Sequence, residues 1–190
     1  MLNKKEFDEI RKEIERFDEK REQLIQKSRS IIQVSKQIIY SVHRGELKKA
    51  EILIKEIKKQ KKELEKIGTN LDTNMDRVAI QEYVEALAYY DFVKNNKIPS
   101  RASLDVSAEH YLLGLCDLPG ELVRKAVAHV INKKFKEALK IKDVVSDIYG
   151  EFLKFNLRNS ELRKKSDQIK WSLKKLEDII FDAKIKGRMK

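Results

Sequence analysis

The sequence has few of the residues that interrupt helices or cross-link chains. Six glycines and two prolines among 190 residues leave few turn positions, so long helices with short connections are expected. The single cysteine, Cys116, excludes an intramolecular disulfide framework and a zinc site made of cysteines alone. No stretch approaches the roughly 20 apolar residues that a membrane-spanning helix needs. These absences predict an all-α protein without a membrane segment.

Length and N-terminal composition point to one intracellular domain. A chain of 190 residues can bury one substantial core, and we expect a single domain over residues 1–190. Residues 1–5 lack the apolar segment with which a secretory signal begins. We therefore expect a cytoplasmic location.

Positive charge is in excess. Lys and Arg number 42 against 31 Asp and Glu, which gives a formal net charge of +11. Such a balance favours polyanionic partners such as nucleic acid. Surfaces rich in Lys and Glu are also typical of heat-adapted proteins, and the lysine doublets of the second helix are typical of a solvated face, so charge alone does not decide between these explanations.

Apolar residues at helical spacing predict a bundle of about six or seven long antiparallel helices. The first keeps its apolar period from Ile10 and Ile14 onward and is long enough to be a spine. Gly45, the segment 68–70 and Gly187 are expected to end helices, and Ser107 is expected to begin one. Helices are predicted over residues 3–42, 46–67, just after 70 to 94, from 107 onward, 135–155 and 160–186.

Two glutamates fall inside an apolar stripe. Glu82 and Glu85 are one turn apart, and a helix places them on the same face. Buried carboxyl groups need a compensating partner or a function. The apolar residues within the same sector are Leu71, Met75, Val78, Tyr89 and Val93.

A second pair of acids, Asp117 and Glu121, forms a narrow stripe on the next long helix. If the two stripes face each other, four carboxyl groups converge, and their repulsion must be relieved by protons, by protein cations or by a metal ion. Oxygen ligands without cysteines or paired histidines favour Mg²⁺ or Mn²⁺ over zinc. The alternative is a structural ion-pair network. The other residues of this stripe or beside it are His110, Gly114, Arg124, Lys125 and Ala128.

The segments that carry these acids, residues 81–86 and 111–122, resemble the two signature segments of the translin-associated factor X branch of the translin family. Residues 28–44, 155–164 and 185–187 are also similar to segments of that family, so the resemblance spans most of the chain. The chain departs from the pattern at Pro119, which predicts a kink or a new helix start between the two acids. It also has only a short connection at residues 95–106.

The resemblance implies both architecture and activity. Members of the family are all-α bundles that form closed, hollow oligomers and bind single-stranded RNA and DNA. It implies that Glu82, Glu85, Asp117 and Glu121 bind Mg²⁺, or Mn²⁺, and cleave single-stranded RNA as an endoribonuclease. A homo-oligomer, hexamer or octamer, is expected. The alternative is a non-catalytic scaffold that binds single strands, as translin does, with the acids serving structure only.

Further residues are candidates for substrate or subunit contacts. Tyr89, His110 and Arg124 are expected near the substrate, although core packing is an alternative explanation for the tyrosine. Trp171 lies opposite the apolar stripe of the last helix, with Phe181 roughly on its side. Aromatic residues on a polar face indicate a subunit interface, the alternative being packing within the same subunit.

Overall fold

A computed structural model describes residues 2–68, 71–158 and 160–185, and within these ranges there are seven α-helices and no β-strand. The prediction of an all-α bundle is confirmed. The helices are α1 Lys4–His43, α2 Leu47–Ile67, α3 Met75–Asn95, α4 Arg101–Leu104, α5 Ala108–Ile131, α6 Phe135–Leu153 and α7 Glu161–Ile185.

The helix boundaries lie close to the predicted ones. Gly45 and Gly68 follow α1 and α2 with φ of 77° and 100°, a backbone conformation that favours glycine. The connection predicted at 95–106 contains the single-turn α4, which sequence periodicity cannot detect because it is only four residues long. The expected stops at residues 69, 70 and 187 lie outside the described residues.

Two groups of three helices share one core. The helices α1, α2 and α3 pack together, as do α5, α6 and α7, and the contact between α3 and α5 joins the two groups. The helix α3 is apolar nearly all round and is buried along most of its length, as its sequence predicts. Large side chains with almost no exposure lie on both central helices, including Tyr83, Tyr89, Leu113, Leu118 and Leu122.

The first half of α1 extends past the bundle. Its 40 residues span about 60 Å, whereas no other described helix exceeds 25 residues. Ile10 and Ile14 are 42% and 55% exposed, and the buried residues of α1 begin at Leu24. The apolar period of α1 therefore continues beyond the part of the helix that the rest of the described chain covers.

Pro119 does not interrupt α5. The helix continues from Ala108 to Ile131 with Pro119 buried inside it, so the expectation of a new helix start is wrong. A proline removes one backbone donor, but burial of Leu118 and Leu122 on either side stabilises the helical conformation. Asp117 and Glu121 thus remain on one helical face.

Gly114 sets the distance between α3 and α5. A Cβ atom at this position would lie 2.5 Å from the Cβ atom of Val84 and 2.8 Å from the backbone oxygen of Gln81. Only a glycine permits this approach. The contact lies one turn before Asp117, so it also positions the acids of the two helices.

No helix of the described residues has the length and apolar character that crossing a lipid bilayer would require.

We expect Gly114→Ala to lower the free energy of unfolding by about 1–3 kcal/mol, because the added methyl group must displace Val84 or the α3 backbone. Gly120→Ala is the matched control in the same helix. A Cβ atom there meets nothing within 4 Å, so this substitution should raise stability by about 0.5–1 kcal/mol. Urea unfolding at one protein concentration compares the two. Equal stability of both variants would contradict the close approach.

Candidate functional site

Four carboxyl groups lie where α3 packs against α5. Glu82 and Glu85 are one turn apart on α3, and Asp117 and Glu121 are one turn apart on α5. Glu85 is buried, with 8% of its surface exposed. The side chains of Asp117 and Glu121 keep 22% and 25% exposure. The group therefore combines one buried acid with others that solvent can reach.

Burial and mutual repulsion act together on these groups. Burial, and then the negative charges of Asp117, Glu82 and Glu121, raise the pKa of Glu85 to about 8. Burial also raises the pKa of Glu82, against the opposing charge of Lys36. Glu85 is consequently protonated at neutral pH when no other cation relieves the repulsion.

Asp117 is held by a cation and an amide. The ammonium group of Lys165, on α7, lies 3.0 Å from Oδ1 and 2.8 Å from Oδ2 of Asp117. The side-chain amide of Gln81 donates a hydrogen bond to Oδ2 of the same carboxylate. Both oxygens of Asp117 are therefore engaged by residues of α3 and α7.

Glu121 is held by the last residue of α1. The distance between Nε2 of His43 and Oε2 of Glu121 is 2.5 Å. Arg124 is a weaker partner, since its guanidinium group lies 3.9 Å from the same oxygen and its side chain is 58% exposed. His43 is thus the main partner of this acid.

Tyr89 orients the His43 ring. The Tyr89 hydroxyl oxygen is 2.9 Å from Nδ1 of His43, and the two ring centroids are 4.7 Å apart. An ionised Glu121 can only accept a hydrogen bond, so Nε2 donates to it, and in the neutral ring Nδ1 accepts from the tyrosine hydroxyl. Burial raises the pKa of Tyr89, which keeps this hydroxyl protonated. The buried Tyr89 therefore supports the site through His43.

His110 lies apart from the four acids. It is seven residues before Asp117, or about 10 Å along the helix axis. Its ring bonds to Ser107 and lines a different hollow together with Lys61, and burial lowers its pKa. His110 is therefore not among the residues that the structure brings to the acids.

Trp171 and Phe181 lie on the outside of α7. Trp171 is 66% exposed and Phe181 is 62% exposed, and neither is covered by another described helix. The ammonium group of Lys174 lies 5.9 Å from the centre of the Trp171 ring. The aromatic side of α7 is therefore available to a partner.

Sequence reasoning did not find the residues that contact the acids. Gln81 precedes Glu82 in the segment 81–86, and this position beside an acid is the one sequence signal for its contact with the site. His43 and Lys165 carry no such signal in the sequence. Their partners lie 78 and 48 residues away along the chain, beyond any helical period.

The four acids offer the oxygen ligands that a hard divalent cation prefers, but their side chains are not positioned to hold one. Carboxylate oxygens are preferred ligands of Mg²⁺ and Mn²⁺. Among the described residues, however, no three His, Cys, Asp or Glu side chains are arranged to hold one ion. Because both oxygens of Asp117 contact Lys165 or Gln81, an ion bound to this carboxylate would have to displace at least one of these contacts.

Known proteins of similar sequence belong to a family of the expected architecture. Residues 19–187 match the model of the translin family. Translin of Gallus gallus is 35% identical over 79 residues, which is 42% of this chain and 34% of that protein. Translin-associated protein X of Pongo abelii is 28% identical over 141 residues, covering 57% and 49%. The matches thus span a third to a half of the length of these relatives.

Two solved structures are similar over nearly the whole chain. Apo-NeC3PO is 32% identical, with a TM-score of 0.85 and coverage of 95% of this chain and 97% of that one. AfC3PO in complex with duplex RNA is 26% identical, with a TM-score of 0.82 and the same coverage. The seven-helix arrangement is therefore shared with both.

The raised pKa of Glu85 predicts a pH dependence of stability. The carboxyl group titrates near 4.5 in the unfolded chain and near 8 in the folded one, so the folded state holds an extra proton between these values. Stability should fall as the pH rises through that interval. In chelator, Glu85→Gln should nearly match the original protein at about pH 5 and exceed its stability at about pH 8.5, by on the order of 4 kcal/mol.

Thermal unfolding at both pH values checks this expectation. The control is Glu56→Gln, which changes an exposed glutamate of α2 and should leave the pH dependence unaltered. A Glu85→Gln protein that is less stable at both pH values would instead indicate a structural ion-pair network.

Proposed function

Because the chain belongs to the translin family, we propose that it is an RNA-binding endoribonuclease that depends on a divalent metal ion. The observation that carries this proposal is that four carboxyl groups meet at the α3–α5 contact, where burial, and then the charges of the other three acids, raise the pKa of Glu85 to about 8. Such a cluster is a candidate catalytic site. Assignment to the translin-associated factor X branch is part of the proposal.

The four acids would hold Mg²⁺ or Mn²⁺ through Glu82, Glu85, Asp117 and Glu121. When bound, the ion supplies a water of lowered pKa and a positive charge beside the phosphoryl oxygens. The chain itself would supply the ligands of the ion and a group that accepts a proton. Glu85, whose pKa burial raises to about 8 without the ion, would act as a ligand of the ion or as the base.

RNA is the proposed substrate. AfC3PO, which shares this fold, has been solved with duplex RNA, and the net charge of +11 favours a polyanion. The family resemblance favours single strands for cleavage and extends binding to single-stranded DNA. Binding of duplex and single-stranded RNA of the same sequence distinguishes the two forms.

A second candidate is a non-catalytic nucleic-acid scaffold. Two observations favour it: Lys165 and His43 already pair with Asp117 and Glu121, and translin of Gallus gallus is among the relatives. In a scaffold the acids would remain in these pairs and no ion would replace them. Metal-dependent cleavage separates the two candidates.

Self-assembly is part of the proposed function. Trp171, Phe181 and Ile185 are 66%, 62% and 67% exposed on α7. Large exposed aromatic groups mark interfaces, where they are enriched. We propose that this side of α7 contacts another copy in a closed, hollow oligomer of six or eight chains.

We expect the purified protein to cleave single-stranded RNA in Mg²⁺ or Mn²⁺ and to stop in chelator. Glu85→Gln keeps the size and hydrogen-bonding capacity of the side chain but not its charge, so it should abolish cleavage and leave RNA affinity and assembly nearly unchanged. Glu56→Gln, at an exposed position of α2, should cleave normally. Absence of metal-dependent cleavage by the original protein, with RNA binding intact, would favour the scaffold.

For assembly, Trp171→Asp should yield smaller particles by light scattering, because an interface core does not tolerate an unpaired charge. Ile52→Asp is the matched control, since Ile52 is 68% exposed on α2. It should leave the mass unchanged. An unaltered mass of Trp171→Asp, with helix content intact by circular dichroism, would place the interface elsewhere.

A further inference from the structure

A hollow of about 610 Å³ lies on the outer side of α1, and one residue of α2 also lines it. Nothing in the proposed cleavage chemistry uses it. Its lining is polar and aromatic, and consists of Gln33, Lys36, Gln37, Tyr40, Ser41 and Lys49.

An exposed aromatic ring stands in this hollow. Tyr40 is 55% exposed although it lies on a helix whose other face is deeply buried. The guanidinium group of Arg44 lies 5.8 Å from the centre of the ring. Arg44 therefore lies over one face of the ring, and the exposure of Tyr40 leaves ring surface on which a planar nucleobase can stack.

The groups around the ring are mainly cationic. Lys36, Arg44 and Lys49 bring three positive charges. The one negative charge is that of Glu46, whose carboxylate lies 2.7 Å from Arg44 and 3.5 Å from Lys49. The balance remains positive, which suits a phosphodiester.

Two amide groups add hydrogen-bonding capacity. The side chains of Gln33 and Gln37 line the hollow and form no hydrogen bond with any other described residue. Each amide offers donors and an acceptor. They can therefore bond to a base edge, a sugar hydroxyl or a phosphate.

The hollow adjoins the carboxyl cluster through Lys36. The helix α1 packs against α3, and Lys36 is the charged group with the largest effect on the pKa of Glu82, although no ion pair within 4.0 Å joins the two residues. Tyr40 lies one helical turn further along α1. A strand that stacks on Tyr40 and passes Lys36 would therefore reach the four carboxyl groups.

We propose that this hollow binds a nucleotide of the RNA strand, with a base stacked on Tyr40 and the neighbouring phosphates at Lys36 and Lys49. The subsite holds the strand beside the acids and sets which phosphodiester bond reaches them. This inference rests on the proposed function, but it concerns binding and can be tested in chelator, where no cleavage occurs.

Affinity for a short fluorescent single-stranded oligoribonucleotide tests the stacking. Tyr40→Ala should weaken binding about 5- to 150-fold, the range of one lost base–aromatic stack, whereas Tyr40→Phe keeps the ring and should bind normally. With an oligonucleotide of abasic residues, which cannot stack, Tyr40→Ala and the original protein should bind equally.

Salt dependence tests the phosphate contact. Lys36→Gln should reduce the slope of log affinity against log salt by about 0.7, the value for one phosphate contact on a single strand. Lys62→Gln, on the exposed outer side of α2, is the control and should leave the slope unchanged. An unchanged slope for Lys36→Gln would overturn this contact.

The outcomes separate this subsite from the proposed function. Normal RNA binding by Tyr40→Ala, with the original protein binding well, overturns the subsite and leaves the endoribonuclease proposal standing. If Tyr40→Ala binds RNA as tightly as the original protein but forms particles of a different mass, the hollow is a contact between chains, and the subsite is overturned as well. Absence of RNA binding by the original protein overturns both proposals.

Discussion

Repulsion among four carboxyl groups is the constraint on which the centre of this fold depends. Gly114 lets α3 and α5 approach closely, and the acids of both helices are then held within each other's field. The protein relieves the repulsion in two ways. Lys165 neutralises the partly exposed Asp117 and His43 forms a hydrogen bond with Glu121, while burial and repulsion leave Glu85 protonated near neutral pH. A bound divalent cation would relieve the repulsion in place of both the protein partners and the proton on Glu85.

This arrangement draws contributions from three other parts of the bundle. The end of α1 supplies His43, which the buried Tyr89 orients, and α7 supplies Lys165. The outer side of α1 adds a cationic and aromatic surface next to Glu82. An anionic centre beside a cationic surface suits a polyanion that needs a metal ion at one point and binding along its length. The same contacts would serve a scaffold if the ion never replaced Lys165.

The sequence predicts the helices and the placement of the acids because both are local. Glu82 and Glu85 have the same helical spacing as the apolar stripe of α3, so they lie on the same face. Asp117 and Glu121 share one face of α5 despite Pro119. It does not predict His43 or Lys165 as partners, since those contacts join residues distant in the chain. Periodicity also misleads in two places. His110 shares the angular sector of Asp117 but lies about 10 Å along the axis, and Ile14 keeps the period of α1 where no described helix covers it.

The most direct test follows the protonation of Glu85 itself. Infrared difference spectra of the original protein minus Glu85→Gln isolate the carbonyl stretch of this protonated carboxyl group during a pH titration. Without metal, the account predicts a band that persists at neutral pH and disappears with a midpoint near 8. Addition of Mg²⁺ should remove it at neutral pH, because the ion favours the charged form. A band absent at neutral pH, or one that Mg²⁺ leaves unchanged, would contradict the account.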